Sequence, residues 1–547
     1  MPSLQKRQTP QVYPSQGIPT RSPIRWVVTP PPTSSTTADP GMQESVFAFL
    51  TDPARHPQVK RIDTHAASVF LEGDRALKIK RAVRFPFLDY STLEKRKAAC
   101  DEEIRINRQF APQIYRRVVP ITRGDDGSLD IDGKGTPVEF AVEMTRFDER
   151  QTIDHLAESG PLDPDLVAAI AEAIAASHAI APRAVAEPWI SSIPGIVEGN
   201  TAAFRAAACF PTVDINDLGK ASLSAFSRLR GLLEQRGSEG FVRRCHGDLH
   251  LANIVLVDRQ PVLFDAIEFD ATIASVDVLY DLAFAMMDFI RYDRPPAANA
   301  LLNRYLGMTP VENLDALAAL PLFMSLRSAI RANVQLARLG RPGRDQAGVM
   351  QSARAYFELA RLTIHPPAPT LVAIGGLSGT GKSVLARALA PHIMPQPGAV
   401  VLRTDVLRKQ LFQVGETDRL PERAYRPEIT AQIYQTLVQR ADRVLSQGHS
   451  VVVDAVFAHE AERNAIRDAA RKLNIRFAGL FLVADLATRV SRVGRRERDA
   501  SDATPDIAGL QEKYNIGAVD WAVIDASGTS EQTVKQCQPR IAQSGAA

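Results

Sequence analysis

The chain has 547 residues, too many for one hydrophobic core, so its length indicates several domains or two large ones. Its 45% hydrophobic and 23% charged residues are ordinary for globular proteins, and 65 basic against 62 acidic residues give a net charge of +3. This balance argues against a general polyanion-binding role, and we expect no nucleic-acid partner. No apolar stretch approaches the roughly 18 residues of a membrane span, and the four cysteines form no CxxC pair. We therefore expect a cytoplasmic protein with reduced thiols, no secretory signal and no membrane partner.

Composition and periodicity divide the chain into four parts. Residues 1–42 are rich in Pro, Ser, Thr and Gln, and we expect them to form a disordered tail. Order is expected to begin near Gln43, and residues 43–363 mix strand patterns with helical ones. The proline-rich segment 364–370 is the clearest internal boundary. In residues 371–547, short apolar runs alternate with helical segments, which is typical of a parallel α/β sheet.

A complete phosphate-binding motif opens the C-terminal part of the chain. The pattern GxxxxGK[ST] runs from Gly376 to Ser383, with an apolar strand before it and a helix-forming run after it. In such a P-loop the backbone N–H groups converge on phosphates, Lys382 neutralises phosphate charge and Ser383 holds Mg²⁺. The predicted nucleotide-binding residues are Gly376, Ser378, Gly379, Thr380, Gly381, Lys382 and Ser383.

Charged residues downstream of the P-loop favour a kinase. Asp405 and Asp454 each lie at the end of an apolar strand, where a carboxylate can hold Mg²⁺ or a substrate hydroxyl. The arginine-rich segment 489–498 suits either a lid over developing charge or a solvated helix face. Residues 370–530 resemble the small P-loop kinases of the gluconate kinase, shikimate kinase and zeta-toxin type. This resemblance implies that Asp405 is the acceptor-side catalytic residue and Arg496 the lid arginine, and we expect Asp454 to be a metal ligand.

A second set of catalytic residue types lies in the middle of the chain. Asp248 belongs to a His-Gly-Asp turn, Asn253 follows five positions later, and Asp265 ends a short apolar run. In protein kinases with this spacing, the first Asp accepts the proton of the substrate hydroxyl, while the Asn and the second Asp hold Mg²⁺ on the nucleotide phosphates. We therefore predict Asp248 as a catalytic residue, with Asn253 and Asp265 as metal ligands. His250 either belongs to the site or only orders the loop.

The segment 246–265 looks like the aminoglycoside phosphotransferase branch of the protein-kinase-like fold. The resemblance covers about residues 43–360 and implies an α+β domain, with a nucleotide-binding lysine on a strand and a glutamate on the following helix. Lys78 is the preferred lysine and Lys80 the alternative. Both lie on one strand face, so periodicity does not choose between them. Glu103 is the preferred glutamate, ahead of its neighbour in the sequence, Glu102.

Further features bear on that resemblance. The strand at 138–145 is the implied hinge, whose backbone pairs with adenine. The nucleotide-covering loop has only Gly73 and so lacks the GxGxxG motif, as aminoglycoside kinases generally do. Acidic residues downstream of Asp265 suggest an acidic acceptor pocket, although two of them, Glu268 and Asp270, also suit a solvated turn; the set is Glu268, Asp270, Asp277, Asp281 and Asp288.

The order of the two domains resembles the bacterial family of bifunctional aminoglycoside phosphotransferase/ATP-binding proteins over nearly the whole chain. This resemblance implies ATP and Mg²⁺ as cofactors and phosphoryl transfer to a hydroxyl group of a small-molecule acceptor. Two alternatives stay open. In the first, the N-terminal domain is a ligand-binding regulatory module rather than a kinase. In the second, the P-loop domain hydrolyses ATP as a switch without an acceptor.

Overall fold

The computed structural model describes residues 40–543, except residues 65, 86–87, 340–344 and 496–498. Helix α1, Pro40–Leu50, opens this part of the chain, close to the expected start of order at Gln43. Residues 1–39 of the expected tail and the predicted lid residue Arg496 lie outside the described residues. Among the helices that are described, none combines the length and apolar character needed to cross a bilayer.

An antiparallel sheet with one long helix forms the first lobe of the N-terminal domain. In chain order its elements are β1 Lys60–Asp63, β2 Ala67–Glu72, β3 Arg75–Lys80, β4 Arg84–Phe85, β5 Leu88–Asp89, α2 Leu93–Asn107, β6 Tyr115–Arg123, β7 Leu129–Ile131 and β8 Thr136–Thr145. Six strands make one sheet in the order β1-β2-β3-β8-β6-β7, and β4 pairs with β5. The strand expected to be the hinge, β8, therefore lies in the middle of this sheet beside β3.

Alternation along β3 separates the core side of the sheet from the side that faces α2. Leu77 and Ile79 pack with Val46 of α1 in the core. Lys78 and Lys80 lie on the opposite face, where both reach a carboxylate of α2. The two lysines therefore share one face, as their spacing predicts.

A mostly helical second lobe follows. Its elements are α3 Ile153–Ser159, α4 Pro164–Ile180, α5 Glu187–Ala207, α6 Thr212–Glu239, β9 Val242–Arg244, β10 Ile254–Val257, β11 Gln260–Leu263, α7 Ala271–Ala274, β12 Ser275–Asp277, α8 Val278–Arg291, α9 Pro295–Met308, α10 Leu320–Leu336 and α11 Gln346–Ile364. Helix α8 is buried over nearly its whole length and forms the centre of the helical core. The antiparallel hairpin β10–β11 carries the predicted catalytic residues, because residues 246–253 lead into it and Asp265 follows it.

The C-terminal domain is built around a parallel sheet. Its elements are β13 Thr370–Gly375, α12 Lys382–Leu389, β14 Val400–Arg403, α13 Thr404–Leu411, α14 Pro427–Ser446, β15 Val451–Asp454, α15 Glu460–Lys472, β16 Arg476–Val483, α16 Leu486–Gly494, α17 Pro505–Leu510, β17 Ala522–Asp525 and α18 Ser530–Gln543. The strand order is β14-β15-β13-β16-β17, and every pairing is parallel. The carboxyl ends of β13, β14 and β15 therefore meet at one edge, which brings the P-loop, Asp405 and Asp454 together.

These two architectures confirm the expected fold class. The N-terminal domain is an α+β, protein-kinase-like unit with an antiparallel sheet, and the C-terminal domain is an α/β P-loop unit with a parallel sheet. The domains touch where α9 of the helical lobe lies against β14, which is an edge strand of the parallel sheet.

Candidate active sites

Lys78 links the two lobes of the N-terminal domain. Its Nζ lies 2.8 Å from Oε1 of Glu103 on α2 and 2.6 Å from Oδ1 of Asp265 after β11. Burial by itself lowers the pKa of Lys78, but Asp265 and then Glu103 outweigh it and raise that pKa well above its ordinary value. The lysine is therefore a fixed cation, and it contacts two other residues, Glu103 and Asp265, that the sequence predicts for the same site.

Glu103 is shared by both candidate lysines. Lys80 Nζ lies 2.6 Å from Glu103 Oε2 and 2.5 Å from Glu268 Oε1. Burial alone raises the pKa of Glu103, but Lys78 and Lys80 outweigh it and lower that pKa to about 2. Lys78 is the one of the two lysines that also reaches Asp265, so the geometry separates candidates that the periodicity leaves equal.

The residues 246–253, here termed the catalytic loop, hold Asp248 at the surface of the helical lobe. Asn253 Nδ2 donates to the backbone oxygen of Asp248 at 2.9 Å and to its Oδ2 at 3.2 Å. His250 Nε2 lies 3.4 Å from the same Oδ2. Burial raises the pKa of Asp248, but His250, followed by Arg331, outweighs it and lowers the pKa. The carboxylate therefore stays ionised, and 40% of its side chain remains exposed to receive a substrate.

Asp265 has a strained backbone that aims it toward Lys78. Its φ of +60° lies in the left-handed region, which few residues other than glycine adopt. The Asp265 N–H donates to the Tyr115 hydroxyl at 3.1 Å, and the next N–H, of Ala266, donates to Asn107 Oδ1 at 2.7 Å. Sequence patterns do not point to Tyr115 or Asn107, because both come from the other lobe.

Asn253 and Asp265 offer the kind of ligand atoms that Mg²⁺ prefers. The amide nitrogen of Asn253 is committed to Asp248, which leaves its amide oxygen as a ligand atom. Asp265 has a carboxylate that is 45% exposed. Both groups present hard oxygen ligands, so the residues present fit the predicted cation.

The acids downstream of Asp265 are not an open acidic pocket, which corrects the expectation drawn from their spacing. Each of these carboxylates accepts a hydrogen bond or ion pair from a donor within the protein. Asp281 and Asp288 also accept backbone N–H groups of the catalytic loop. The pairs are Glu268 with Lys80, Asp270 with the Thr272 N–H, Asp277 with Arg236, Asp281 with His178, and Asp288 with Tyr356. These carboxylates are therefore occupied by internal partners, and two of them hold the backbone of the catalytic loop.

The P-loop of the C-terminal domain depends on glycines with positive φ. Gly379 has a φ of +87°, and a Cβ there would approach the backbone oxygen of Arg489 at 2.5 Å. Lys382 Nζ donates to the Leu377 backbone oxygen at 3.1 Å, and the Ser378 N–H donates to Gln511 Oε1 at 2.7 Å. Gln511 is a neighbour that the motif does not predict, since it lies 133 positions downstream.

Two predicted metal residues meet beside the P-loop. Ser383 Oγ donates to Asp454 Oδ2 at 2.6 Å. Arg403, at the end of β14, donates to the same Oδ2 from Nε at 3.2 Å, while its Nη2 donates to Ser383 Oγ at 3.0 Å and to Asp499 Oδ1 at 2.8 Å. The hydroxyl and the carboxylate suit Mg²⁺. Arg403 was missed by the motif analysis, although it lies only two positions before Asp405.

Asp405 lies at the start of α13, next to this cluster. Burial raises the pKa of Asp405, and the negative charge of Asp454 raises it further, against the opposing effects of Arg403 and Lys382. A raised pKa makes the carboxylate a stronger base, which suits proton transfer from an acceptor hydroxyl. Arg489 belongs to the segment 489–498, for which the sequence left a lid and a solvated helix face as alternatives. Its side chain is buried and ion-paired with Glu512, so a solvated helix face is wrong for this residue.

Fold and site geometry together define two kinase-like domains in one chain. Residues 61–320 match the model of the phosphotransferase enzyme family, and residues 371–512 match the AAA domain model. The chain therefore contains a domain of the phosphotransferase enzyme family followed by an AAA-type P-loop domain, which confirms the combination expected from the sequence. Kinase families of these types imply the use of ATP.

Relatives with the same extent are found in mycobacteria. Uncharacterized proteins of Mycobacterium tuberculosis and Mycobacterium bovis are each 28% identical over 499 residues, covering 87% of this chain and 93% of theirs. Among solved structures, a gluconokinase from Sinorhizobium meliloti aligns with 32% of this chain and 93% of its own, at 19% identity and a TM-score of 0.24. A choline/ethanolamine kinase family protein from Mesorhizobium loti aligns with 59% of this chain and 99% of its own, at 14% identity and a TM-score of 0.35.

Proposed function

We propose that the chain is an ATP-dependent phosphotransferase with two nucleotide sites, each passing the γ-phosphoryl group to a hydroxyl group of a small-molecule acceptor. The units would be residues 43–363 and 371–547, joined by 364–370. The observation that carries the proposal is the contact of Lys78 with both Glu103 and Asp265. A lysine held in this way can grip nucleotide phosphates directly beside a predicted metal ligand.

At the N-terminal site, Asp248 would accept the proton of the acceptor hydroxyl. Asn253 would hold Asp248 in place and, with Asp265, ligate Mg²⁺, which neutralises phosphate charge when bound. Lys78 would bind the phosphates. Catalysis would come mostly from positioning and charge neutralisation, because phosphoryl transfer needs little covalent chemistry from the protein.

At the C-terminal site, the P-loop would bind the second nucleotide through its backbone N–H groups and Lys382. Ser383 and Asp454 would ligate Mg²⁺, and Asp405 would accept the proton of the second acceptor. The 2.6 Å contact between Ser383 and Asp454 and the raised pKa of Asp405 support these roles. A switch that only hydrolyses ATP has less need of a carboxylate at the position of Asp405.

The test is a screen of hydroxyl compounds with γ-labelled ATP, run on the wild type and on Asp248→Asn and Lys382→Ala. We expect Asp248→Asn to abolish transfer at the N-terminal site and to leave nucleotide binding at the P-loop intact, and Lys382→Ala to do the reverse. Matched controls are Asp258→Asn, in the exposed turn of the same hairpin, and Lys472→Ala, at the exposed end of α15.

Two results would change the assignment. Unchanged phosphorylation of every acceptor in Asp248→Asn contradicts the N-terminal kinase. If that variant changes only the turnover of the P-loop domain, the N-terminal domain is a regulatory module instead.

A further inference from the structure

One carboxylate in the C-terminal domain holds three groups that come from different turns of the chain. Asp502 Oδ1 lies 2.7 Å from Nζ of Lys409 on α13. Its Oδ2 accepts the Leu420 N–H at 3.0 Å and the Tyr425 hydroxyl at 2.6 Å. Leu420 and Tyr425 belong to residues 412–426, here termed the α13–α14 loop. Asp502 therefore ties this loop to the helix that carries the proposed base of the C-terminal site.

The contact of Asp502 with α13 is shielded from solvent. The side chains of Lys409 and Asp502 are 2% and 13% exposed, and Lys409 also donates to the backbone oxygen of Asp418 in the α13–α14 loop. Burial raises the pKa of Asp502, but its hydrogen bonds with Lys409 and Tyr425 outweigh burial and lower that pKa, so the carboxylate stays ionised. Removing one charge of a buried pair leaves the other without its partner, which costs far more than the loss of an exposed pair. Neutralising Asp502 should therefore release the loop.

A further contact places Tyr425 within one helical turn of the proposed base. Arg408 follows Asp405 by three positions on α13, so the two side chains are neighbours on one face of the helix. Arg408 donates to the Ala424 backbone oxygen, and its Cζ lies 4.9 Å from the centre of the Tyr425 ring. Burial raises the pKa of Tyr425, and the charges of Asp502 and Asp405 raise it further. The Tyr425 ring, which is 42% exposed, therefore lies beside the carboxylate that would receive an acceptor hydroxyl.

The nucleotide side of the site is contacted by another carboxylate of the same segment. Asp499 Oδ1 accepts from Arg403, which in turn contacts Ser383 and Asp454. The partners of Asp502 given above belong instead to α13 and to the α13–α14 loop. Loss of the Asp502 charge should therefore disturb the surroundings of the base while the P-loop keeps its place.

We propose that Asp502 is a positioning residue of the C-terminal site, which fixes the α13–α14 loop beside Asp405 and so sets the affinity for the acceptor without contributing to nucleotide binding. Binding of a small acceptor depends on groups that are held in place before it arrives, because ordering a loop at that moment weakens binding. This inference rests on the proposed phosphotransferase function of the C-terminal domain and adds a residue to its acceptor side.

The first test follows the loop itself and needs no acceptor. Trypsin cleaves after exposed arginines, and Arg419 of the α13–α14 loop is exposed. The amide between Arg419 and Leu420 is the one that donates to Asp502, so cleavage of this bond reports on the contact. We expect Asp502→Asn to speed this cleavage about tenfold or more in the full chain, because proteolysis follows the population of the open form.

Two controls accompany the proteolysis. Cleavage after Arg259, in the exposed turn of the N-terminal hairpin, should keep the same rate in every variant, and Asp506→Asn, on the exposed first turn of α17, should be cleaved in the loop like the wild type. Tyr425→Phe removes one of the three donors and keeps the ring, so it should give a smaller acceleration. This variant keeps the test decisive if Asp502→Asn does not fold. Unchanged cleavage after Arg419 in both variants overturns the inference.

The second test separates the acceptor from the nucleotide by their kinetics. Gluconate, shikimate and glycerol are offered with γ-labelled ATP to chains that also carry Asp248→Asn, so that transfer reports on the C-terminal site. We expect Asp502→Asn to raise KM for the phosphorylated compound about tenfold or more, while KM for ATP stays within about twofold of its parent. The control Asp506→Asn should match its parent in both constants.

The kinetic outcomes distinguish the inference from the function on which it rests. A raised KM for ATP, or a fall in kcat with KM for the acceptor unchanged, overturns the inference, because Asp502 would then support the site as a whole rather than the acceptor. Faster cleavage after Arg419 in Asp502→Asn, without any Lys382-dependent transfer to these compounds, would instead contradict the proposed function alone.

Discussion

Arg304 of α9 and Glu416 of the C-terminal domain form an ion pair of 2.8 Å across the two domains. Beside it, Asn303 accepts a hydrogen bond from the Val401 N–H at 2.7 Å and donates to the Ala399 backbone oxygen at 3.2 Å. Asn303 thus satisfies one backbone N–H of the edge strand β14 and the backbone oxygen just before it. The N-terminal domain therefore covers the start of this edge strand.

We expect Asn303→Ala to destabilise the C-terminal domain more than Arg304→Ala does. The first substitution leaves a partly buried N–H group of β14 without its acceptor, which costs about 1–3 kcal/mol. The second removes an ion pair whose side chains are 35% and 40% exposed, worth about 0–1 kcal/mol. Differential scanning calorimetry of both variants measures the difference. Equal shifts of the unfolding transition would show that Asn303 has no special role at this edge.

Lys78 and Lys80 share Glu103, but we expect their substitution to have different effects. Lys78→Ala should lower Asp248-dependent transfer about 100-fold or more with a modest effect on stability, because it removes a group aimed at the nucleotide. Lys80→Ala should lower the free energy of unfolding by about 3–5 kcal/mol, because Glu103 and Glu268 lose their shared buried cation. Transfer assays and thermal unfolding on both variants measure the two effects. The opposite pattern would make Lys80 the nucleotide lysine.

The parts of the sites that lie within short segments could be predicted from the sequence. The spacing from Asp248 to Asn253 fixes one loop, and GxxxxGK[ST] fixes the turn from Gly376 to Ser383, since the chemistry of each depends on residues close in the chain. The parallel α/β class of the C-terminal domain followed from the alternation of strand and helix patterns, which is set by burial along each element, whereas the protein-kinase-like class of the N-terminal domain came from the resemblance carried by residues 246–265. The strand face that carries Lys78 could also be predicted, because side chains alternate between the two faces of a strand with a fixed period.

Other site neighbours could not be predicted, because they are brought in by tertiary packing. Asn107 meets the segment after Asp265 from the other lobe, and Gln511 reaches the P-loop across 133 positions. Arg403 is closer in sequence, yet its contacts with Ser383 and Asp454 depend on which strands are neighbours in the sheet. The acids after Asp265 were misread because a carboxylate in a sequence does not reveal the buried donor that occupies it.

Gly379→Ala should weaken nucleotide binding at the P-loop about tenfold or more. A left-handed φ costs a residue with a side chain about 1–2 kcal/mol, and the new Cβ would also approach the Arg489 backbone oxygen at 2.5 Å, so the loop must shift. The matched control is Gly517→Ala, where φ is +64° and no atom lies within 4 Å of the added Cβ. Calorimetric titration of an ATP analogue into chains that also carry Lys78→Ala isolates the P-loop site. Similar affinities in the two glycine variants would mean that the packing against Arg489 is unimportant for binding.

The two sites should lose activity at different acid pH values. The pKa of Asp248 is lowered, because His250 and Arg331 together outweigh the burial that raises it, so this base stays deprotonated as the pH falls. The pKa of Asp405 is raised by burial and by Asp454, so this base becomes protonated at a higher pH. A base must be unprotonated to accept the hydroxyl proton, and kcat/KM reports the free enzyme. The acid limb of kcat/KM should therefore lie at lower pH for the N-terminal site, measured in Lys382→Ala, than for the C-terminal site, measured in Asp248→Asn.

Replacing His250 with Gln should move only the acid limb of the N-terminal site to higher pH, since it removes the group that lowers the pKa of Asp248 the most. Coincident limbs, or a shift of the second limb in the His250 variant, would show that these carboxylates do not set the pH dependence.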